Sequence, residues 1–313
     1  MAERRLGGRL APDEMFPAGL AEIRTRMVSL ADGTRLRLAE SGDSLAPPVL
    51  LLHGWGASIY MWRAWFAALA AAGFLAVAVD LPGHGLSDKP ARDTAYRLAS
   101  LVDVVRELIG LERLDGAGLV AQSMAGTIAL ELVLEGEPRI RRLVLVNPAC
   151  FGRIRLQALG RAVSPAIVDR VLPRLVTRGV VARAHRMVYG DPSLITERDE
   201  DEYWAPSQFP SYSRAMRRLL HEFSWRRPPV DRMAARMRGL RTEVLVVLGT
   251  RDRLVRDAAP YVAALRAAGA PLRVAEVLGG GHAVNEERPA EVVALALAAL
   301  REGQSPQGQH RAT

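Results

Sequence analysis

The chain has 313 residues, 49% of them hydrophobic, which is enough to bury a sizeable core and excludes disorder for its bulk. It carries a formal net charge of +8, yet Lys89 is the only lysine among 42 basic residues, so Schiff-base chemistry would have to use Lys89 or nothing. No aromatic–basic interleaving accompanies that charge, so nucleic acid is not an expected partner, and no apolar run is long enough to cross a bilayer. The single cysteine, Cys150, excludes an intrachain disulfide. The opening residues, MAERRLGGRLAPDE, are charged and lack an apolar core, so no secretory signal is expected and the chain reads as cytoplasmic.

Taken in order, residues 26–30 and 35–40 read as two strands joined by ADGT, which predicts a hairpin. PPVLLLHG, 47–54, is a continuous apolar run, the pattern of a strand buried on both faces. A helical stretch at 61–72 and a second buried run, FLAVAVDL at 74–81, follow. A helix at 94–110, a strand at 118–122, a helix through MAGTIALELVLEG and a strand at 141–147 continue the alternation. Later come a strand at 242–249, a helix at 258–268, a strand at 272–278 and a helix at 289–301. Strands alternating with helices build βαβ units, so the expected fold class is α/β, with a mostly parallel twisted sheet flanked by helices.

Between 148 and 232 the rhythm breaks. This part is helical and polar, has no buried-strand run, and residues 150–232 hold 15 Arg against 9 acidic residues. The expected organisation is a core of 1–147 plus 233–313 interrupted by a helical cap at 148–232. Arg170, Arg174 and Arg178 are spaced four apart and predict a basic stripe, with Pro173 interrupting it. The plain reading of that stripe is a solvated face; the sharper one is attraction to an anionic substrate or a membrane surface. The tail from Gly303 is polar and expected to be disordered.

In a parallel sheet, ligands bind beyond the carboxyl ends of the strands. The residues that follow the strands are HGWG (53–56), PGHGLSDKP (82–90), Ser123-Met124, TRD (250–252) and GGGH (279–282). A serine, an acid and a histidine, Ser123, Asp252 and His282, therefore fall on one edge. A serine hydroxyl needs a base within hydrogen-bond reach, neutral histidine suits that task, and a carboxylate behind the imidazole fixes its tautomer. The Met124 N–H, at a helix N-terminus, and the Trp55 N–H are candidate donors to a tetrahedral oxyanion. Against these stand plainer readings: Ser123 as a helix N-cap, Asp257 in place of Asp252 as the acid, and Cys150 as a packing residue. His53 and His84 read as structural turn residues, and His185 and His221 lack a partner at metal-ligand spacing, so neither metal nor cofactor is expected.

The ordered motifs HGWG, DLPGHGLSDKP, SMAG, GTRD and GGGH…EERP resemble the α/β-hydrolase fold superfamily from about residue 26 to 301, positionally only within 148–232. The resemblance implies a nucleophile elbow at Ser123 and the order Ser…Asp…His. Ala121 and Ala125 stand where the elbow usually has glycines, and Gln122 where many relatives carry histidine. Haloalkane dehalogenases and epoxide hydrolases of this fold put Asp at the elbow, and its hydroxynitrile lyases use a lysine near the histidine. The resemblance therefore implies a cofactor-free serine hydrolase acting on a small ester-like substrate. The alternatives are a C–C hydrolase of vinylogous diketone acids, whose carboxylate a cap arginine would bind, a cofactor-free haloperoxidase, and a non-catalytic binding protein. Tyr203, Trp204, Phe209 and Tyr212, with Gln122, are the candidate substrate contacts, although aromatic residues in a cap as often hold it to the core.

Overall fold

The computed structural model describes residues 9–154, 160–162 and 164–302. The tail from Gly303 lies outside them. The first strands, β1 (Arg24–Ser29) and β2 (Arg35–Ser41), pair antiparallel, closing with Ser29 opposite Arg35. Gly33 takes the positive φ that this turn requires.

Five apolar strands follow: β3 (Pro48–Leu52), β4 (Leu75–Val79), β5 (Ala117–Gln122), β6 (Ile140–Val146) and β7 (Glu243–Gly249), with β8 (Leu272–Val277) at the edge. One sheet runs β1-β2-β4-β3-β5-β6-β7-β8. From β4 to β8 all neighbours are parallel, and β2 meets β4 antiparallel.

The alternation of side chains divides the core in two. Leu50, Leu52, Val77, Val79, Leu119 and Leu145 face helices α2 (Leu98–Leu111), α3 (Met124–Leu134) and α8 (Ala258–Ala267). Val49, Leu51, Ala76, Ala78, Val120 and Val144 face α1 (Trp65–Ala71) and α9 (Pro289–Arg301). Leu50, Leu51 and Leu52 are wholly buried, each stabilising the fold by about 1.5–3 kcal/mol. Both faces are covered, which is why these strands read as unbroken apolar runs.

Between β6 and β7 the chain forms α4 (Arg178–Val188), α5 (Glu197–Trp204), α6 (Pro210–Glu222) and α7 (Val230–Met237). A two-residue ladder, Arg153–Ile154 with Val255–Arg256, ties the start of this segment to the loop after β7. The basic stripe expected here does not form. Arg170 lies in a 3-10 turn, Arg174 in a four-residue helix begun by Leu172 and Pro173, and Arg178 opens α4. Arg178 pairs with Asp201 at 2.6 Å and Glu200 at 2.8 Å instead of facing solvent beside the other two.

Candidate active site

The elbow forms between β5 and α3. Ser123 has φ 52° and ψ −114°, a conformation costing a non-glycine residue about 1–3 kcal/mol, and its side chain makes no helix-cap hydrogen bond. The N-cap reading fails on that point. The bend is fixed from both sides: the Ser123 N–H donates to the Val146 carbonyl at 3.0 Å, and the Ser123 carbonyl accepts from Gly126 and Ala149, each at 3.0 Å. Ala121 and Ala125 are both fully buried at this turn, so methyl groups are tolerated at those positions. Glycine is needed one residue further on, where a Cβ on Gly126 would meet Pro148 Cβ at 2.8 Å.

From Ser123 a chain of hydrogen bonds runs outward. Ser123 Oγ lies 2.8 Å from His282 Nε2, and His282 Nδ1 lies 2.8 Å from Asp252 Oδ2. A carboxylate only accepts, so Nδ1 carries the proton and Nε2 is left to accept from the serine hydroxyl. The other Asp252 oxygen accepts from the N–H groups of Leu254 at 2.8 Å and Val255 at 2.9 Å, which locks the acid in the loop after β7. Asp257 sits outside this chain, at the N-terminus of α8 with φ 61°. Serine, histidine and acid are all nearly buried.

The loop after β3 touches the elbow. A Cβ on Gly54 would meet Gln122 Oε1 at 2.1 Å and Ser123 Cβ at 3.1 Å, so a side chain there would displace the Gln122 amide and press on the elbow serine. The main-chain N–H groups of Trp55 and Met124 have no acceptor among the described residues. The Trp55 indole donates to the Met216 carbonyl at 3.2 Å, and the Tyr212 hydroxyl donates to the Gly56 carbonyl at 3.1 Å, so α6 is tied across this loop.

The residues proposed for substrate contact have other engagements. Gln122 Nε2 donates to the His282 carbonyl at 3.0 Å. The Tyr203 hydroxyl donates to Glu286, and its ring stacks on His185 with centroids 3.9 Å apart. Tyr203 and Tyr212 thus anchor the inserted helices to the core. Phe209 lies under Lys89, whose ammonium donates to the carbonyls of Gly85 and Ser87, and the Trp204 indole N–H is buried without a partner among the described residues.

His53 and His84 are structural. His53 donates from Nδ1 to the Gly54 carbonyl and accepts at Nε2 from the Leu81 N–H, so its neutral tautomer is fixed. Burial lowers the pKa of both rings, that of His84 well below the ordinary value. Burial pushes the Cys150 thiol up to about 12, which makes it a packing group. Among the described residues no three His, Cys, Asp or Glu side chains are grouped as a metal would need, and no helix is long and apolar enough to cross a membrane.

One residue of this site had no role in the sequence reading. Asn147, at φ 42° just beyond β6, donates from Nδ2 to the carbonyls of Gly281 at 2.9 Å and His282 at 3.0 Å. Its Oδ1 accepts from the Gly249 N–H at 2.9 Å. The available signal was an Asn at the end of a buried strand, a residue that tolerates positive φ.

An eight-stranded, mostly parallel sheet with a strained serine between β5 and α3 defines an α/β fold of the hydrolase type. A family model described as the alpha/beta hydrolase family matches residues 49–295, and the chain belongs to that family. It is 37% identical over 123 residues to a haloalkane dehalogenase of Psychrobacter cryohalolentis, covering 39% of this chain and 41% of the relative, so the match spans about two fifths of that protein. Among solved structures it resembles the meta-cleavage product hydrolase from Pseudomonas fluorescens IP01, with a TM-score of 0.73 at 19% identity, covering 90% of this chain and 99% of the other. It also resembles an epoxide hydrolase from an endophytic Streptomyces, with a TM-score of 0.69 at 24% identity, covering 90% and 96%. These structural likenesses establish the fold.

Proposed function

We propose that this chain is a serine hydrolase that cleaves a carboxylic ester or related acyl bond through an acyl-enzyme. The observation that carries the reading is the unbroken chain from Asp252 Oδ2 through the His282 ring to Ser123 Oγ, with both contacts at 2.8 Å. Ser123 Oγ attacks the acyl carbon as its proton passes to His282 Nε2, and Asp252 stabilises the resulting imidazolium. The Trp55 and Met124 N–H groups, both without an acceptor among the described residues, receive the oxyanion. His282 then protonates the leaving alcohol, and water, deprotonated by His282, cleaves the acyl-enzyme.

The nucleophile's identity argues for an acyl carbon over an alkyl one. A serine oxygen that displaced a halide or opened an epoxide would form an ether, which water does not cleave at neutral pH. An aspartate in that position forms an ester, which water does cleave. Ser123 therefore favours acyl transfer, although the first relatives named above include a dehalogenase. The helices between β6 and β7 act as a cap over this edge, held there by Tyr203 and Tyr212.

The test is Ser123→Ala with a panel of short esters, long esters, lactones and a vinylogous diketone acid. Turnover falls on the order of 10³-fold or more, and a fluorophosphonate labels wild type, but not the variant, at one site. A variant retaining half the wild-type rate overturns the reading, and a rate peaking on the diketone acid moves it to C–C hydrolysis.

A further inference from the structure

The main chain of the histidine loop is held at every polar group of two successive residues. The Gly281 N–H donates to Glu287 Oε1 at 2.8 Å, and the His282 N–H donates to the Val188 carbonyl at 2.7 Å. The two carbonyls accept from Gln122 and Asn147 at the sheet edge. The N–H partners have a different origin. Val188 ends α4, and Glu287 Oε2 accepts from the N–H groups of Gly190 at 2.8 Å and Asp191 at 3.2 Å, just beyond that helix.

One buried carboxylate therefore closes on two chains: 190–191 of the inserted segment and Gly281 beside the histidine. The chains pass backbone against backbone. A Cβ on Gly190 would lie 2.4 Å from the Gly279 carbonyl oxygen, and one on Gly281 would lie 2.2 Å from the Gly190 nitrogen. Both positions demand glycine for that close approach. Three N–H donors converge on Glu287 and favour its ionised form, which accepts on both oxygens, against the burial that raises its pKa.

We propose that Glu287 is a positioning residue for His282, bridging the inserted helices and the histidine loop so that the base aligns with Ser123 only when those helices are seated. This rests on the reading of His282 as the general base. It assigns the inserted segment a part in the alignment of the catalytic base. Glutamine at 287 offers one acceptor oxygen, and its amide N–H₂ opposes a backbone N–H, so one arm of the bridge opens while the side-chain volume stays.

The experiment compares Glu287→Gln, Gly190→Ala and the double variant. Glu287→Gln lowers kcat on the preferred ester by about 10- to 100-fold, as expected for a shift of about 1 Å in a catalytic group, and leaves KM within about twofold. Gly190→Ala pries the same clamp from the other chain, gives the same signature, and adds little in the double variant. Proton NMR supplies a readout independent of turnover. The His282 Nδ1 proton bonded to Asp252 gives a low-field resonance in wild type that broadens by solvent exchange in either variant. A wild-type kcat with a sharp low-field signal overturns the proposal, as do additive losses in the double variant. Should Glu287→Gln not fold, Gly190→Ala carries both readouts. Should wild type hydrolyse no ester and bind no fluorophosphonate, the enzyme reading fails by itself, and the NMR comparison still decides whether Glu287 sets the histidine.

Discussion

Gln122, the residue immediately before the elbow serine, donates from Nε2 to the carbonyl of His282 at 3.0 Å. The same carbonyl accepts from Asn147 Nδ2, also at 3.0 Å, so nucleophile and base are braced through two amides rooted at the ends of adjacent strands, β5 and β6. This brace explains how glutamine serves where many relatives carry histidine: it offers a donor to the opposite loop and needs no titration.

The two amides differ in weight. Gln122→Leu removes one of two donors to the His282 carbonyl and leaves that oxygen bonded. Asn147→Leu removes both bonds to the 281–282 loop and orphans the buried Gly249 N–H. A buried group left unsatisfied costs about 1–3 kcal/mol. Asn147→Leu is therefore expected to lose at least that much stability in urea titration and more turnover than Gln122→Leu, whose kcat falls by less than about tenfold. Equal losses from the two variants would refute the shared brace.

The second prediction concerns a buried ionic cluster beneath α5. Arg63 lies 2.7 Å from Asp199 Oδ1 and also pairs with Glu286, while the Tyr60 hydroxyl donates to Asp199 at 2.7 Å. The side chains of Asp199 and Glu286 are 4% and 0% exposed. Arg63→Met leaves two carboxylates buried without their cation, a change that costs about 3–5 kcal/mol. Arg273→Met, which breaks an exposed pair with Glu302, costs about 1 kcal/mol or less. Urea midpoints of the two variants measure the contrast, and a similar shift in both would show that water reaches the Arg63 cluster.

That cluster marks the limit of what the sequence discloses. Strands β3 to β7 were legible to within a few residues because each contains a short run of buried aliphatic residues covered on both faces, a signature that depends only on local composition. Ser123, Asp252 and His282 were legible because strand ends in a parallel sheet share an edge. Glu286 and Glu287 stood in view in EERP, yet nothing local says that one meets Arg63, 223 residues away, and the other Gly190, 97 residues away. The glycines of GGGH were the only hint that another backbone passes close by. The aromatic residues of the inserted segment were legible as important, with lining a pocket and fastening the segment to the core equally open from sequence; the Tyr203 and Tyr212 hydroxyls bond to the core, a contact that only the fold discloses. The expected arginine stripe failed because helical spacing holds only inside one helix, and Pro173 begins a new one.

His185 gives the third prediction. Its ring is 5% exposed, stacked on Tyr203 and edge-on to Tyr189 with centroids 4.9 Å apart, and neither ring nitrogen has a partner among the described residues. Burial lowers its pKa from 6.5 to about 4, against an upward pull from Asp199 and with further lowering from Arg63 and Arg186. The folded chain keeps the ring neutral, whereas the unfolded chain takes up a proton near pH 6.5 and so binds more protons below that pH. Stability from this group is complete above about pH 6.5 and is lost as pH falls toward 4, by an amount on the order of 3 kcal/mol. His185→Phe keeps the stacking and removes the titration. His53 and His84, also held low by burial, remain in both proteins, so the difference isolates His185. Urea midpoints between pH 7 and 4 should fall more steeply for wild type than for the variant; parallel slopes would mean that the folded protein already accommodates the charged ring.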